Sequence, residues 1–255
     1  IDHILLFMGT FKDHFSSHAG DYAAHRPSYP GALVEFLASL VPDTRLALDC
    51  GCGNGQLAVL LAKHFERVVA TDASALQIEK AKAHSRVEYR VAPAEQSGLP
   101  DATADLITAA QAAHWFDIQR FYQEVRRVAR PRGVIALIAY GVLQMADEPN
   151  AIAQRFYGEV LGPYWPPERR DVEDGYRSFP FPFQEIKTPG FSIETSWNLR
   201  DLIGYIDTWS AVRKLEERVG RQPFEDFQAE MGRSWGNPED RRSVCWPLAL
   251  RVGYV

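Results

Sequence analysis

The most distinctive segment of the chain is a glycine-rich turn that follows a short apolar stretch. It reads Asp49-x-Gly51-x-Gly53-x-Gly55, and Gln56 then opens a predicted helix. Glycine leaves no side chain between the backbone and a ligand. The start of a helix directs free N–H groups and a positive dipole end into the same space. The segment therefore predicts a site for a nucleotide-type ligand.

An acidic residue downstream makes this prediction more specific. The spacing departs from the dinucleotide fingerprint, which has a further Gly or Ala where this chain has Gln56. Asp72 ends the next predicted strand, 21 residues after Gly51. A carboxylate at that point can accept hydrogen bonds from both hydroxyls of a ribose. With Ala94-Glu95-Gln96 after the following strand, three elements stand in an order that favours a nucleoside-containing ligand.

A second segment with chemical potential runs from Gln111 to Asp117 and contains His114 and Trp115. It follows a predicted strand, and the carboxyl ends of parallel strands border ligand sites, so we expect both residues beside a reacting centre. Histidine is the natural base for a phenol or an amine, whereas a carboxylate nucleophile is already ionised. Proton transfer by His114 and a positioning or packing role both stay open.

The second half of the chain is rich in aromatic residues and carries a short basic run. The aromatic candidates for substrate contact are Tyr157, Tyr164, Trp165, Tyr205 and Trp209. Aromatic side chains line small-molecule sites, but they also fill cores. Arg169, Arg170 and Arg177 either receive an acidic substrate or form a solvated face.

The elements that position these residues alternate between helix and strand from Pro30 to Tyr140, which is typical of a parallel sheet covered on both faces. The predicted strands are Arg45–Asp49, Arg67–Thr71, Val87–Val91, Ala104–Ala109 and Val134–Tyr140. One predicted helix begins after Pro30. The other predicted helices cover Leu57–Phe65, Ala75–Ala83 and Ile118–Val128.

After Tyr140 a proline-rich stretch predicts an irregular, partly helical lid over roughly 141–240. The elements predicted there and beyond are a helix near Ala151–Leu161, a strand at Phe191–Trp197, a helix starting at Asn198 with Asp201, a helix near Glu225–Met231 and a last strand around Ser243–Val252.

Composition excludes several classes of function. The length of 255 residues suits one α/β domain with insertions, or one and a half domains, and contents of 46% hydrophobic and 24% charged residues are ordinary for a folded protein. A net charge of −5 argues against nucleic acid as the main partner, because phosphate contacts require a basic face. No apolar run reaches the roughly 20 residues that span a bilayer, so we expect no membrane partner. Ile1–Met8 does not resemble a signal peptide, and Met8 as the natural start stays open.

Cysteine usage predicts a reducing compartment. Two of the three cysteines, Cys50 and Cys52, lie in the glycine turn. They form neither a disulfide framework nor a zinc site, so we expect them to be small turn residues. We therefore expect no metal ion and a cytoplasmic location.

Residues 45–140 resemble the core of a class I S-adenosylmethionine-dependent methyltransferase. Four features carry the resemblance: the motif Asp49–Gly55, the acid Asp72, the loop Ala94-Glu95 and the loop that starts at Gln111. The resemblance implies a Rossmann-like α/β fold with a mostly parallel seven-stranded sheet, helices on both faces and a partly helical lid.

Further segments resemble the trans-aconitate methyltransferase-like branch of that class. They are Tyr22, Arg26–Pro30 and Ala113–Asp117, with Gly162–Trp165 and Thr208–Ala211 similar to fungal members. These segments are less specific than the core motifs.

The resemblance also implies a donor site. In this donor site, the three glycines of the turn face the methionine part of S-adenosylmethionine. Asp49 holds the amino end of the donor near the Gln111 carbonyl, and Ala94-Glu95 lies beside the adenine. Tyr22 and Arg26 fold over the donor, and Arg26 pairs with its carboxylate. The expected donor-binding residues are Tyr22, Arg26, Asp49, Gly51, Gly53, Gly55, Asp72, Ala73, Ala94, Glu95 and Gln111. The expected catalytic residues are His114 and Trp115.

The sequence thus predicts a methyltransferase that acts on a small molecule, with O-methylation of a carboxylate as its reaction. A nicotinamide-dependent oxidoreductase and a non-catalytic S-adenosylmethionine-binding module are the alternatives. The expected organisation is a donor-covering segment (1–30), a donor-binding core (31–140), a lid that includes one core strand (141–240) and a final core strand (241–255). We expect a monomer or a homodimer.

Overall fold

The computed structural model describes residues 28–255. Tyr22 and Arg26, which were predicted to cover the donor, lie outside these residues. The strands are β1 (Leu46–Cys50), β2 (Arg67–Asp72), β3 (Val87–Val91), β4 (Ala104–Ala110), β5 (Ala129–Tyr140), β6 (Gln184–Ile186), β7 (Ser192–Trp197) and β8 (Arg242–Tyr254). The helices are α1 (Gly31–Ser39), α2 (Gln56–Leu61), α3 (Ala75–Glu79), α4 (Ile118–Val128), α5 (Asp147–Arg155), α6 (Arg169–Glu173), α7 (Leu199–Asp207), α8 (Ser210–Val219) and α9 (Gln222–Trp235).

Seven strands form one mixed sheet in the order β3-β2-β1-β4-β5-β8-β6. The pairs from β3 to β5 are parallel, whereas β8 runs antiparallel to both β5 and β6. The eighth strand, β7, pairs with the first half of β8. The prediction of a Rossmann-like, mostly parallel seven-stranded sheet is confirmed.

Both faces of the sheet are covered, so its strands are apolar on both sides. One face of β5 belongs to the buried cluster that also contains residues of α4 and α6. The β5 residues on this face are Ile135, Leu137 and Ala139. The alternating residues Val134, Ala136 and Ile138 belong to the other cluster, which also contains the buried faces of α1 and α2. The fully apolar strand predicted at Val134–Tyr140 is thus an interior strand.

The helices after β5 extend this second cluster. Ile152 of α5, Leu202 of α7, Leu215 of α8 and Phe224 of α9 all belong to it. The start of α7 has the predicted cap: Asn198 Oδ1 accepts the Asp201 N–H at 3.0 Å, and Asp201 accepts the Asn198 N–H at 3.2 Å. These reciprocal bonds satisfy two N–H groups that the helix itself leaves unpaired.

Several predicted helix ends were wrong. The helix predicted over Ala75–Ala83 ends at Glu79, because the Lys82 N–H bonds to the Asn54 carbonyl at 3.0 Å instead of continuing the helix. The helix predicted over Leu57–Phe65 ends at Leu61.

The lid also contains elements that the sequence pattern did not indicate. The helix predicted near Ala151–Leu161 is α5 followed by a π-helical turn at Phe156–Val160. Strand β6 and helix α8 were not predicted. None of the helices within residues 28–255 combines the length and apolar character that a membrane crossing requires.

The start of β1 depends on one buried carboxylate. Asp105 Oδ2 accepts the N–H groups of Arg45 and Leu46, each at 2.9 Å, and Arg130 lies 3.4 Å from its other oxygen. Asp105 is only 3% exposed. Its removal would leave backbone N–H groups at the edge of the core without a partner.

We expect Asp105→Ala to lower the free energy of unfolding by about 2–4 kcal/mol, since each hydrogen bond to a charged group contributes about 1.5–3 kcal/mol. Urea denaturation measures the effect. Asp43→Ala is the matched control: Asp43 is half-exposed and pairs with Arg45 at 3.1 Å, a surface contact worth about 0–1 kcal/mol. Equal losses in the two variants would contradict the role of Asp105.

Candidate active site

A cleft of about 1100 Å³ opens where β1, β2 and β4 end. In a doubly wound sheet, ligands bind outside the carboxyl ends of the strands. The predicted site residues that line the cleft are Asp49, Gly51, Gly53, Asp72, Ala73, Ala94, Glu95, Gln111 and Trp115. Gly55 and His114 lie next to these residues in the chain without lining the cleft.

The glycine turn forms the floor of the cleft because it carries no side chains there. Gly51 has a φ of +64°, and a Cβ at this position would lie 2.5 Å from the Ala112 Cβ and 3.1 Å from the Phe116 ring. Gly53 also has a positive φ, +54°, but more space around it. Gly55 packs against the Tyr89 side chain, and a Cβ at this position would collide with the Tyr89 hydroxyl. The loop after β4 thus packs directly on the backbone of the turn.

Asp72 ties the end of β2 to the same turn. One carboxylate oxygen accepts the Gly53 N–H at 2.9 Å, and the other accepts the Ser74 N–H at 2.8 Å. Asp72 also lines the cleft, so it lies where a ribose-binding carboxylate is expected, and that role stays a prediction.

Asp49 is a buried carboxylate at the inner end of the cleft, with an exposed fraction of 1%. The Thr108 hydroxyl donates to its Oδ1 at 2.8 Å, whereas Oδ2 is buried with no hydrogen-bond partner in the described part of the chain. Burial, together with the negative charge of Asp72, raises the pKa of Asp49 to about 7. Such a group is suited to a cationic ligand atom, which would stabilise its ionised form.

Two further predicted residues shape the rim. Gln111 has a positive φ of 53°, which is uncommon for a residue with a side chain. Its side-chain amide donates to the Tyr140 carbonyl at 2.7 Å, which holds the side chain, and the residue lines the cleft. Glu95 accepts the Asp117 N–H at 2.7 Å. This bond links the predicted adenine loop to the segment after β4.

His114 lies one residue away from the cleft lining, in a 3₁₀ turn at Ala113–Trp115. Its Nδ1 is 3.1 Å from the Tyr176 hydroxyl, and its ring centroid is 4.6 Å from that of Trp115. Burial and the positive charge of Arg169 lower the pKa of His114 to about 3. The imidazole is therefore neutral near pH 7, and it is held between Tyr176 and Trp115.

Sequence reasoning missed the wall of the cleft that α4 forms. Arg120, Gln123, Glu124 and Arg127 lie on one side of this helix and line the cleft. Glu124 is 7% exposed and accepts both the N–H and the hydroxyl of Ser97. Helical spacing was the available signal, but a polar helix face is ordinarily solvated. Gln96, from the predicted third element, lines the cleft, and so do Asn54, Gln56, Gln77 and Glu168, which were not predicted.

The aromatic residues suggested for substrate contact do not line this cleft. Tyr157, Trp165 and Trp209 pack on one another, with ring centroids 4.8 to 5.7 Å apart. Tyr205 is 8% exposed and contacts Trp246, which places it in the core. Their observed contacts are those of lid packing.

Comparison with known proteins agrees with the fold. A family model described as a methyltransferase domain matches residues 48–137. A methyltransferase of Dictyostelium discoideum is 37% identical over 204 residues, which cover 78% of each chain. CRG1 of Saccharomyces cerevisiae, named as an S-adenosylmethionine-dependent methyltransferase, is 29% identical over 174 residues, 63% of this chain and 59% of CRG1.

A solved structure from Anaeromyxobacter dehalogenans, described as a type II methyltransferase, is 47% identical with a TM-score of 0.86. The match covers 90% of this chain and 97% of that one. The chain therefore belongs to the class I S-adenosylmethionine-dependent methyltransferases. The predictions of an enzyme of this class and of S-adenosylmethionine as its methyl donor are confirmed, and the oxidoreductase alternative is set aside.

The raised pKa of Asp49 predicts how stability depends on pH without the donor. Between its ordinary value of 3.8 and about 7, the folded protein binds this proton more tightly than the unfolded chain does, so stability falls as pH rises through that range. Asp49→Asn removes this loss. We expect the variant to be more stable than the parent by about 1–3 kcal/mol at pH 8, with a smaller gain at pH 5.

Urea denaturation at the two pH values measures this difference. Asp43→Asn, which changes a half-exposed carboxylate, is the control and should give no pH-dependent gain. A gain for Asp49→Asn that is the same at pH 5 and pH 8 would contradict the assignment.

Proposed function

We propose that this methyltransferase transfers the methyl group to a carboxylate oxygen of a small organic acid, as enzymes of the trans-aconitate methyltransferase-like branch do. The observation that carries the proposal is the state of His114. With its pKa lowered to about 3, it is a poor base near neutral pH. A carboxylate acceptor is already ionised there and needs no base, whereas a phenol or an amine does.

The cleft fits the donor on three counts. Asp49 Oδ2, which has no hydrogen-bond partner among residues 28–255, suits the donor's amino group, and the open space beside Gly53 leaves room for its methionine part. Asp72 would accept the ribose hydroxyls. The remaining proposed donor contacts are Gly55 as support of the turn, Ala73, Ala94 and Glu95 beside the adenine, the Gln111 carbonyl, and Tyr22 and Arg26 from the segment before residue 28.

Methyl transfer makes modest demands on the protein. When bound, S-adenosylmethionine supplies an electrophilic methyl group on a positively charged sulfur. The residues of the cleft have to hold the acceptor oxygen in line with that methyl and exclude water. Trp115, which lines the cleft, and His114, which packs on it, are the proposed positioning groups on the acceptor side.

The organisation that we propose follows from this assignment. Residues 1–30 cover the donor, 31–140 bind it, 141–240 form the acceptor-facing lid, and 241–255 complete the sheet. A cytoplasmic monomer or homodimer acting on a small molecule, and on no nucleic acid, completes the proposal.

The donor site is tested with Asp72→Asn. Hydrogen bonds to a charged group contribute about 1.5–3 kcal/mol each, so losing the charge should weaken binding of S-adenosylhomocysteine about 10- to 100-fold. Isothermal titration calorimetry measures the dissociation constant, with Asp43→Asn as the control and an unfolding curve to show that the variant is folded. Unchanged affinity would remove Asp72 from the donor site.

The acceptor chemistry is tested with donor labelled in its methyl group and a panel of small carboxylic acids, phenols and amines. We expect the label on carboxylic acids, in a form that mild alkali releases as methanol, because the product is an ester. With the donor saturating at each pH, so that ionisation of Asp49 does not limit its binding, the rate should not rise between about pH 6 and pH 8, since no base has to lose a proton. Label that resists alkali would contradict carboxylate methylation and leave the methyltransferase class intact.

A further inference from the structure

We infer that Arg169 and His114 form a subsite for an anionic group of the acceptor, beside the donor cleft. This inference rests on the proposed function and adds to it the residues that select the acceptor. The anion it would hold is a carboxylate other than the one that is methylated, because a carboxylate gripped by a guanidinium has its lone pairs engaged and is a poor nucleophile.

The guanidinium of Arg169 is held in one place by the lid. It lies over the rings of Tyr157 and Trp165, at 5.6 and 5.2 Å from their centroids. Its Nε donates to the Tyr157 hydroxyl at 2.7 Å, and Glu173 is 3.9 Å away on the same Nε side. That hydroxyl in turn donates to Glu173. The carboxylate of Glu173 and the aromatic rings thus orient the arginine through its Nε edge.

The other edge of the guanidinium is available. The side chain is 22% exposed, and among residues 28–255 neither terminal amino group of Arg169 has a hydrogen-bond partner. Two parallel N–H groups on a pre-oriented plane match the geometry of a carboxylate. An arginine stacked on two aromatic rings is also less strongly hydrated than a free surface cation.

Tyr176 fixes which nitrogen of His114 carries the proton. Burial raises the pKa of the Tyr176 hydroxyl, so this group keeps its proton. The hydroxyl lies 3.1 Å from His114 Nδ1, and we assign its proton to that bond. A neutral imidazole that accepts at Nδ1 carries its hydrogen on Nε2. His114 therefore presents an N–H donor, and this Nε2 has no partner among the described residues.

The short helix α6 brings the two donors together next to the cleft. Glu168, which precedes Arg169, lines the cleft, as does Trp115, which follows His114. Helix α6, which begins at Arg169, packs against the 3₁₀ turn Ala113–Trp115 that carries His114. The positive charge of Arg169 also lowers the pKa of His114. A fixed cation beside a neutral N–H donor favours an anion between them.

Arg169 differs in its surroundings from Arg170 and Arg177, the two arginines that the sequence analysis grouped with it. Arg170 and Arg177 are exposed side chains, which agrees with a solvated face. Arg170 is therefore a matched control, one residue away on the same helix.

The test uses the full-length protein saturated with S-adenosylhomocysteine, with trans-aconitate, a tricarboxylate, as the probe in calorimetry. We expect Arg169→Gln to weaken trans-aconitate binding at least tenfold. Arg169→Lys should weaken it less, because lysine keeps the positive charge but lacks the two parallel N–H donors of the guanidinium. Arg170→Gln should bind within twofold of the parent. The affinity for S-adenosylhomocysteine should stay within twofold in all variants, which shows that the fold and the donor site are intact.

Tyr176→Phe tests the positioning of His114. ¹⁵N chemical shifts of the imidazole report the tautomer, and we expect the Nε2–H form in the parent and a mixture in the variant, together with weaker trans-aconitate binding.

The outcomes distinguish the two proposals. If the parent binds the tricarboxylate and Arg169→Gln binds it equally well, the subsite is wrong and carboxylate methylation stands. If the parent complex neither binds nor methylates any carboxylic acid, both the subsite and the proposed acceptor class are wrong. An Nδ1–H tautomer in the parent would overturn the role given to His114.

Discussion

The close approach between the glycine turn and the loop after β4 is the constraint on which the cleft depends. At Gly51 the backbone comes so near Ala112 and Phe116 that no side-chain carbon fits between them. This contact joins the carboxyl ends of two neighbouring strands, β1 and β4. The bond from the Gly53 N–H to Asp72 joins the third, β2. Three strand ends are thereby held around one space, and the loop that bears His114 and Trp115 is held at its rim.

The core of the fold could be predicted because its signals are local. A continuous apolar run such as Val134–Tyr140 has few alternatives to an interior strand, and the spacing of glycines before Gln56 reports the backbone shape directly. Asp49 and Asp72 line one cleft for the same reason, since each lies at the carboxyl end of its strand. The carboxyl ends of parallel strands lie at one edge of the sheet, independently of the conformation of the connecting loops.

The lid could not be predicted to the same extent, because its structure depends on contacts between distant residues. The π-helical turn at Phe156–Val160 coincides with the stacking of Phe156 on Phe227, 71 positions further along the chain, at 4.1 Å between ring centroids. Strand β6 has three residues and exists only because β8 offers it an edge. Likewise, the sequence did not indicate that α4 forms a wall of the cleft. Glu124 is buried there with a hydrogen bond from Ser97, and the spacing of residues along a helix carries no information about such a distant contact.

Strand β8 has a consequence for how this enzyme can be altered. It is one continuous strand, yet Arg242–Pro247 pairs with β7, next to the lid helices, while Leu248–Tyr254 pairs with β5 at the centre of the sheet. The lid is therefore not a detachable module, since its edge strand and the last core strand share one backbone. A chimera that exchanged the lid between relatives would have to carry β7 together with the chain up to Pro247, and its junction would fall inside a strand.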